Sequence, residues 1–201
     1  MTNAETHLDN CSAEPPMLGD HLAMDLLNTE ARNNGEVTEY WNSGNDVLRW
    51  LERCGVASAL TARSVDLEEL LAQGIALRTL ARRLIVQRKE GQTGDINALN
   101  KYLHAYLSAP HLERNCGGNL VLTRTVHGEP IASLLGPVAE AVAQLLVEGD
   151  FTLVKQCEHP DCILWFYDRT KAHKRRWCSM ASCGNRHKAA QFRKRSSGKT
   201  G

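Results

Sequence analysis

Leucine-rich stripes with helical spacing run through the middle of the chain. The clearest predicts a helix from about Asp66 to Lys89, with Asp66 and Glu69 resembling a capping box at its start. A second predicted helix follows Pro130 and runs to about Glu148, and Pro137 is expected to kink or restart it. The side chains expected to face the core of these helices are Leu67, Leu70, Leu71, Leu77, Leu80, Leu84, Ile85, Leu134, Leu135, Val138, Val142, Leu145 and Leu146.

Weaker patterns surround these two helices. One short helix is predicted around Asn45–Arg53, stopping at Gly55, and another from Asp95 to about Leu107. Residues 18–31 mix apolar and polar positions without deciding between helix and strand, although Asp20 could cap a helix there. The inward-facing side chains predicted for these segments are Leu22, Leu26, Val47, Leu48, Leu51, Ile96, Leu99, Leu103 and Tyr106.

A β-hairpin is predicted between the last two of these helices. His111–Asn115 and Asn119–Val126 flank Gly117-Gly118, a pair typical of a tight turn. Residues 1–16 are polar and are expected to form a disordered leader. The predicted fold class is therefore mainly α with small β-hairpins (α+β): a helical domain over 17–150, followed by a small C-terminal module.

The C-terminal module, residues 151–196, contains four of the seven cysteines in the pattern C-x4-C-x15-C-x4-C. They are Cys157, Cys162, Cys178 and Cys183. Zinc prefers tetrahedral thiolate coordination, and four thiolates leave no open position for catalysis, so one structural Zn²⁺ is predicted. The alternative is four buried or redox-active cysteines. Cys11, Cys54 and Cys116 show no metal spacing, and His159 and His173 are surplus to a complete set.

The module should need its metal to fold, because so few residues cannot build a sufficient core. We expect a hairpin in which Ile163–Tyr167 pairs near Arg175–Trp177, then a helix after Cys183 with Ala189 and Phe192 packing. Residues 197–201 are expected to form a flexible tail.

Charge divides the chain at the same place. Residues 1–154 carry a net charge of −8 and residues 155–201 carry +9. This asymmetry points to a polyanion-binding segment, although a basic tail can serve solubility alone. Arg186, His187 and Arg193 are the best candidates for reading base edges, and Trp165 and Trp177 either stack on bases or cover the metal core. The predicted nucleic-acid-binding residues are Arg169, Lys171, His173, Lys174, Arg175, Arg176, Arg186, His187, Lys188, Arg193, Lys194 and Arg195.

No enzymatic motif supports catalysis, so a non-enzymatic protein is predicted. Gly198-Lys199-Thr200 resembles the end of a phosphate-binding loop, but the first glycine of that motif is missing. A small-molecule pocket could be lined by His21, Asp25 and Asn28, although such residues more often cap helices or satisfy backbone groups. No signal peptide or apolar run long enough to span a membrane is apparent, which predicts a cytoplasmic protein.

Two known families resemble this chain. The C-terminal segment resembles the CGNR zinc-finger family through Cys183-Gly184-Asn185-Arg186, Trp177-Cys178-Ser179-Met180 and Phe166-Tyr167-Asp168-Arg169. The preceding part resembles the ABATE domain through Gly19 and the block Leu22–Thr29. The resemblance implies a bacterial stress-related transcription regulator whose finger binds DNA. It also implies that the same four cysteines are the zinc ligands. It also implies an N-terminal domain that senses a ligand.

The combined hypothesis is a zinc-binding, DNA-binding transcription regulator in the cytoplasm, associated with the nucleoid. Its N-terminal domain would sense a small-molecule effector, form a homodimer, or both. Two alternatives use the same basic face: a zinc-stabilised protein-interaction adaptor, or an RNA-binding protein.

Overall fold

The computed structural model describes residues 14–33, 35–56 and 65–197. This part of the chain contains six α-helices and three antiparallel two-stranded sheets. In chain order the elements are α1 (Leu22–Leu27), β1 (Glu30–Asn33), β2 (Glu36–Glu39), α2 (Gly44–Arg53), α3 (Leu67–Lys89), α4 (Asn97–Ala105), β3 (Leu107–Arg114), β4 (Leu120–His127), α5 (Pro130–Glu148), β5 (Val154–Gln156), β6 (Trp165–Tyr167), a π-helical turn (Met180–Gly184) and α6 (Asn185–Ser197). The α+β class predicted from the sequence is confirmed. The predicted leader over 1–16 and tail over 197–201 lie largely outside the described residues.

The main core forms where α1 meets α3, α5 and β6. The stripe on α3 buries Leu70, Leu77 and Leu84 as predicted, but Leu67 at the first turn is 36% exposed. Asp66 caps α3 by accepting from the backbone N–H groups of Glu68 and Glu69. The spacing of apolar residues therefore identified the buried face, while the first turn extends past the core.

Helix α1 occupies the centre of this core, which explains why its sequence pattern was ambiguous. Ala23, Met24, Leu26 and Leu27 are all buried, so the helix is covered on every side and shows no amphipathic stripe. Its N-cap is His21, whose Nδ1 accepts from the Ala23 N–H, and not the predicted Asp20.

Helix α5 is uninterrupted from Pro130 to Glu148, and Pro137 lies inside it without the predicted restart. Gly136 allows the Tyr106 ring to pack against the helix, because a Cβ there would lie 2.2 Å from the ring. By length and composition α5 is apolar enough to cross a membrane. Its inward face is buried against α1, α3 and α4, as the core helix of a globular domain would be.

Three shorter elements differ from prediction. Helix α4 ends at Ala105, and Ile96 before it is 53% exposed rather than buried. The hairpin strands are longer than expected, because β3 begins at Leu107 and continues through Pro110, which an edge strand tolerates. In the C-terminal module β6 pairs with β5, so the expected pairing with Arg175–Trp177 is wrong.

Candidate zinc site and basic surface

The four paired cysteines converge on one buried point. Their sulfur atoms all lie within 4.8 Å of one another, with 3.8 Å between Cys162 Sγ and Cys178 Sγ and 3.6 Å between Cys178 Sγ and Cys183 Sγ. Tetrahedral zinc with bonds of about 2.3 Å to sulfur requires sulfur separations of about 3.8 Å. The donor set therefore fits one structural Zn²⁺, as the sequence predicts.

Two different backbone structures deliver the cysteines. Cys157 and Cys162 lie in the loop between β5 and β6, which is held by hydrogen bonds from Cys157 N–H to Leu164 O and from Cys162 N–H to His159 O. Cys178 precedes the π-helical turn, and Cys183 lies within it at the start of α6. At the neighbouring Gly184 a Cβ would lie 2.7 Å from Met180 Sδ, so a side chain there would require the exposed Met180 side chain to move.

Arg186 is half-buried and contacts the metal site. Its Nη2 donates to Cys183 Sγ at 3.2 Å, and its Nε is buried without a partner in the described structure. A cation beside a zinc-bound thiolate offsets the net charge of −2 that four thiolates and Zn²⁺ carry. The prediction that Arg186 reads base edges therefore does not fit its position. The Arg186 position of the CGNR tetrapeptide therefore serves the zinc site.

Neither histidine near the site is a ligand in the four-sulfur cluster. His159 Nδ1 accepts from the Asp161 N–H at 3.2 Å. The His173 ring is placed by the carbonyl oxygen of Asp168, 3.1 Å from its Nδ1. Both arrangements agree with the sequence interpretation that the thiolate set is complete.

Arg175 joins the zinc module to the N-terminal domain. Its guanidinium lies 4.1 Å from the centre of the Phe166 ring and donates to the carbonyl oxygens of Leu18, Trp177 and Cys178. It also pairs with the Asp20 carboxylate. Its side chain is only 17% exposed, so Arg175 is an architectural residue and not part of a nucleic-acid surface.

Asp168 organises the loop that follows β6. Its buried carboxylate accepts from Lys155 Nζ, from the Thr170 hydroxyl and from the N–H groups of Thr170 and Arg175. Burial opposes ionisation, but these donors outweigh it and hold the pKa of Asp168 well below its usual range. Sequence reasoning gave Asp168 no individual role. The available signal was a lone carboxylate within a strongly basic segment.

The remaining basic residues form a surface on both sides of Trp177. Arg176 stacks 5.0 Å from the centre of its ring while pairing with Glu158, and the His187 ring lies 4.7 Å away. Helix α6 contains five Lys and Arg residues and no acidic residue. We call the exposed members the basic surface; they are Arg169, Lys171, His173, Lys174, Arg176, Lys188, Arg193, Lys194 and Arg195, with the half-buried His187 between them.

Two aromatic predictions resolve differently. Trp177 is half-buried against the zinc core, whereas Trp165 is buried in the main core. Phe192 on α6, which we expected to pack, is 72% exposed. The described part of the chain therefore leaves a large apolar side chain uncovered within a basic helix.

The predicted pocket residues make structural contacts, and one of them, Asn28, connects the two domains. The Asn28 amide is completely buried, donating to the Trp165 carbonyl at 2.9 Å and accepting from the Trp165 N–H at 2.8 Å. Asp25 accepts from the Gly19 N–H, and its pKa is raised by burial. His21 caps α1, as described above. These contacts support the structural role that was weighed against a ligand pocket.

The other described cysteines lie apart from the metal site. Cys54 follows α2, and burial followed by the Asp25 charge raises the pKa of its thiol to about 12. Cys116 is exposed in the turn between β3 and β4, and Cys11 lies outside the described residues. The cysteines at 54 and 116 therefore add nothing to the zinc site.

Comparison with known families accounts for nearly the whole described chain. Residues 20–149 match the ABATE family, whose description reads "Putative stress-induced transcription regulator". Residues 154–196 match the CGNR zinc finger. These matches confirm the resemblance found in the sequence. A comparison with curated proteins found no match to the chain.

Proposed function

Because this chain belongs to the ABATE family and carries a CGNR zinc finger, we propose that it is a DNA-binding transcription regulator. The zinc module would bind the duplex through the basic surface. The N-terminal domain would sense a small-molecule effector, dimerise, or both. The proposal places a non-enzymatic protein in the bacterial cytoplasm, associated with the nucleoid.

The observation that carries this proposal is the charge of α6 and of the loop before it. Helix α6 begins at the zinc site and has no carboxylate along its length, so it forms one cationic array. The exposed Arg169, Lys171 and Lys174 form a second array in the loop that follows β6. Backbone phosphates are recognised by such dense cationic arrays. The stack of Arg176, Trp177 and His187 links the two arrays into one surface.

Contacts to phosphate and contacts to bases are assigned to different residues. Lysines such as Lys171, Lys174 and Lys188 suit phosphate oxygens, since a flexible ammonium binds without reading sequence. Arg193 lies on the exposed part of α6 and is the better candidate for a base edge. Because Arg175 and Arg186 hold the module together, neither belongs to this interface.

Salt-titrated binding of the zinc-loaded protein to genomic fragments, including its own promoter, tests the proposal. With about six phosphate contacts, a plot of the logarithm of the binding constant against the logarithm of the salt concentration has a slope of about −5. K171E/K174E and K188E/K194E should each weaken binding at least tenfold, while K101E on α4 should leave it unchanged. Sequence-independent binding that these variants do not alter would refute the proposal, as would tighter binding to single-stranded or duplex RNA.

One observation favours a second candidate, a protein-interaction adaptor. Phe192 and Met180 are 72% and 53% exposed beside the basic residues, and apolar anchors within a charged rim are typical of protein interfaces. In that case F192A should abolish binding to an acidic protein partner. DNA affinity would then be weak and limited to low salt.

A further inference from the structure

Strands β3 and β4 form a long ribbon that projects from the helical domain. Each strand has eight residues, so the ribbon is about 26 Å long, at about 3.3 Å per residue. Within the described chain no helix or other sheet packs extensively along its length. An isolated two-stranded ribbon is marginally stable in water, so this one gains from a surface that covers it.

One face of the ribbon is apolar and uncovered. The register pairs Leu112 with Leu122 and Arg114 with Leu120, which places these three leucines on the same face. They are 61%, 73% and 59% exposed in the order Leu112, Leu122 and Leu120. The opposite face carries His111, Glu113, Thr123 and Thr125, with Val121 half-buried and Leu107 58% exposed at the base of the ribbon. We call the face with the three leucines the leucine face.

The base of the ribbon lies beside a groove with matching chemistry. Where α3, α4 and the start of α5 meet, the groove has an apolar floor and an acidic rim. The floor is formed by Ala98, Tyr102, Ala105, Ile131 and Ala132. The rim carries three carboxylates, Asp66, Glu69 and Glu129, and one cation, Lys101, so it is acidic overall. The leucine face carries two cations, Arg114 and Arg124, and no carboxylate. Charge and polarity of the two surfaces are therefore complementary.

We propose that two copies of this chain dimerise by exchanging ribbons, so that each leucine face covers the base groove of its partner. The groove lies at the ribbon's own base, and a straight ribbon of this length holds its tip well away from that groove. When the ribbons of two copies lie antiparallel, related by a two-fold axis, the tip of each ribbon reaches the base of the other. Arg114 near the tip then meets Glu129 on the rim of the other copy.

Pro110 favours contact by a face over contact by an edge. Pro110 lies in β3 opposite Arg124 of β4, and it has no N–H with which to pair with a further strand at the edge of the sheet. This dimer goes beyond the proposed DNA binding and uses none of the basic surface. It would bring two zinc modules into one assembly, so that each protomer could contact its own half-site.

Sedimentation velocity of the zinc-loaded full chain tests the leucine face. The wild-type chain should form a dimer, and L112S/L122S should raise the dissociation constant at least tenfold. V121S provides the matched control, because Val121 is a half-buried apolar residue on the opposite face of the same ribbon. Thermal unfolding of each variant identifies any that fail to fold. A monomeric wild-type chain at about 100 µM, or a double variant that dimerises normally, overturns the proposal.

Mixing charge-reversed variants tests the exchange itself. R114E alone and E129R alone place like charges at both copies of the contact and should each weaken the dimer. A mixture of the two should form heterodimers, because one contact joins the two substituted side chains, which carry opposite charges, and the other keeps the native pair. No recovery in the mixture would show that the ribbons do not reach the partner's groove and would overturn the proposal. DNA binding by the monomeric variants at high protein concentration separates this outcome from failure of the proposed function.

Discussion

At the level of single residues, the basic segment contains arginines with opposite roles that the sequence does not separate. Arg175 and Arg176 are adjacent, yet one is buried against Phe166 and the other is exposed beside Glu158. The cysteine spacing predicted the metal ligands because zinc imposes a fixed geometry on four sulfurs. Nothing in a run of cations shows which of them point inward, since that depends on carbonyl groups contributed by distant segments such as Leu18.

Arg175 should therefore matter for stability far more than its neighbour. R175A removes donors from three carbonyl groups and leaves Asp20 without its partner, and we expect a loss of about 3 kcal/mol. R176A removes an exposed ion pair and should cost at most about 0.5 kcal/mol. Urea unfolding of both variants with zinc present measures the difference. Equal stability of the two variants would contradict this assignment.

Arg186 should affect the affinity for zinc. R186Q removes the cation that donates to Cys183 Sγ, and loss of such a supporting contact typically costs about 10–100-fold in metal affinity. K188Q, two residues further along α6 and exposed, is the matched control and should bind zinc normally. Competition with a chromophoric chelator gives both affinities. If R186Q retains wild-type affinity, the thiolate contact has no energetic role.

At the level of elements, the sequence predicted best where an element has one buried face. Helices α2, α3 and α5 were found with small errors at their ends, because a periodic stripe fixes both type and position. Helix α1 was ambiguous because it is buried all round, and the partner of β6 was wrong because strand pairing depends on long-range contacts. The β3–β4 turn was correct, while the length of its strands depended on Pro110 being accepted at an edge.

The start of α2 gives a prediction with a pH dependence. Asp46 lies at the third position of the helix and accepts from the N–H groups of Asn42 and Ser43 and from the Ser43 hydroxyl, completing a capping box. Burial disfavours its charge, but these donors and Arg49 lower the pKa of Asp46 overall. D46A should cost about 1 kcal/mol at pH 7.

This contribution should disappear in acid. A carboxylate whose folded pKa is depressed stabilises the folded state above its unfolded pKa of about 3.9, and loses that effect as pH falls through the folded value. Urea unfolding of wild type and D46A from pH 7 down to the start of acid unfolding should show a shrinking difference. A difference that stays constant across this range would show that Asp46 acts by packing alone.

At the level of the whole molecule, the two family matches describe segments that share their packing. The cysteine cluster packs with Ala31 of β1 and is flanked by Leu18 and Tyr40, while Trp165 and Val154 belong to the main core. Asn28 and Arg175 add polar contacts across the same boundary. The sequence indicated two segments with separate compositions. It did not indicate that the segments share packing, because no local pattern records which distant residue covers a small module.

Removal of zinc should therefore destabilise the N-terminal domain as well as the finger. Without the metal, the four cysteines are no longer joined to one another, and β6 can no longer hold Asn28 and the C-terminal end of α1 in place. Chelation should lower the melting temperature followed by far-UV circular dichroism, a signal dominated by α3 and α5, and renewed addition of Zn²⁺ should restore it. In C54S, whose altered thiol lies outside the cluster, chelation should have the same effect. A two-step transition, in which the helices melt at an unchanged temperature after chelation, would show that the segments are energetically independent. The zinc site would then stabilise its own module alone.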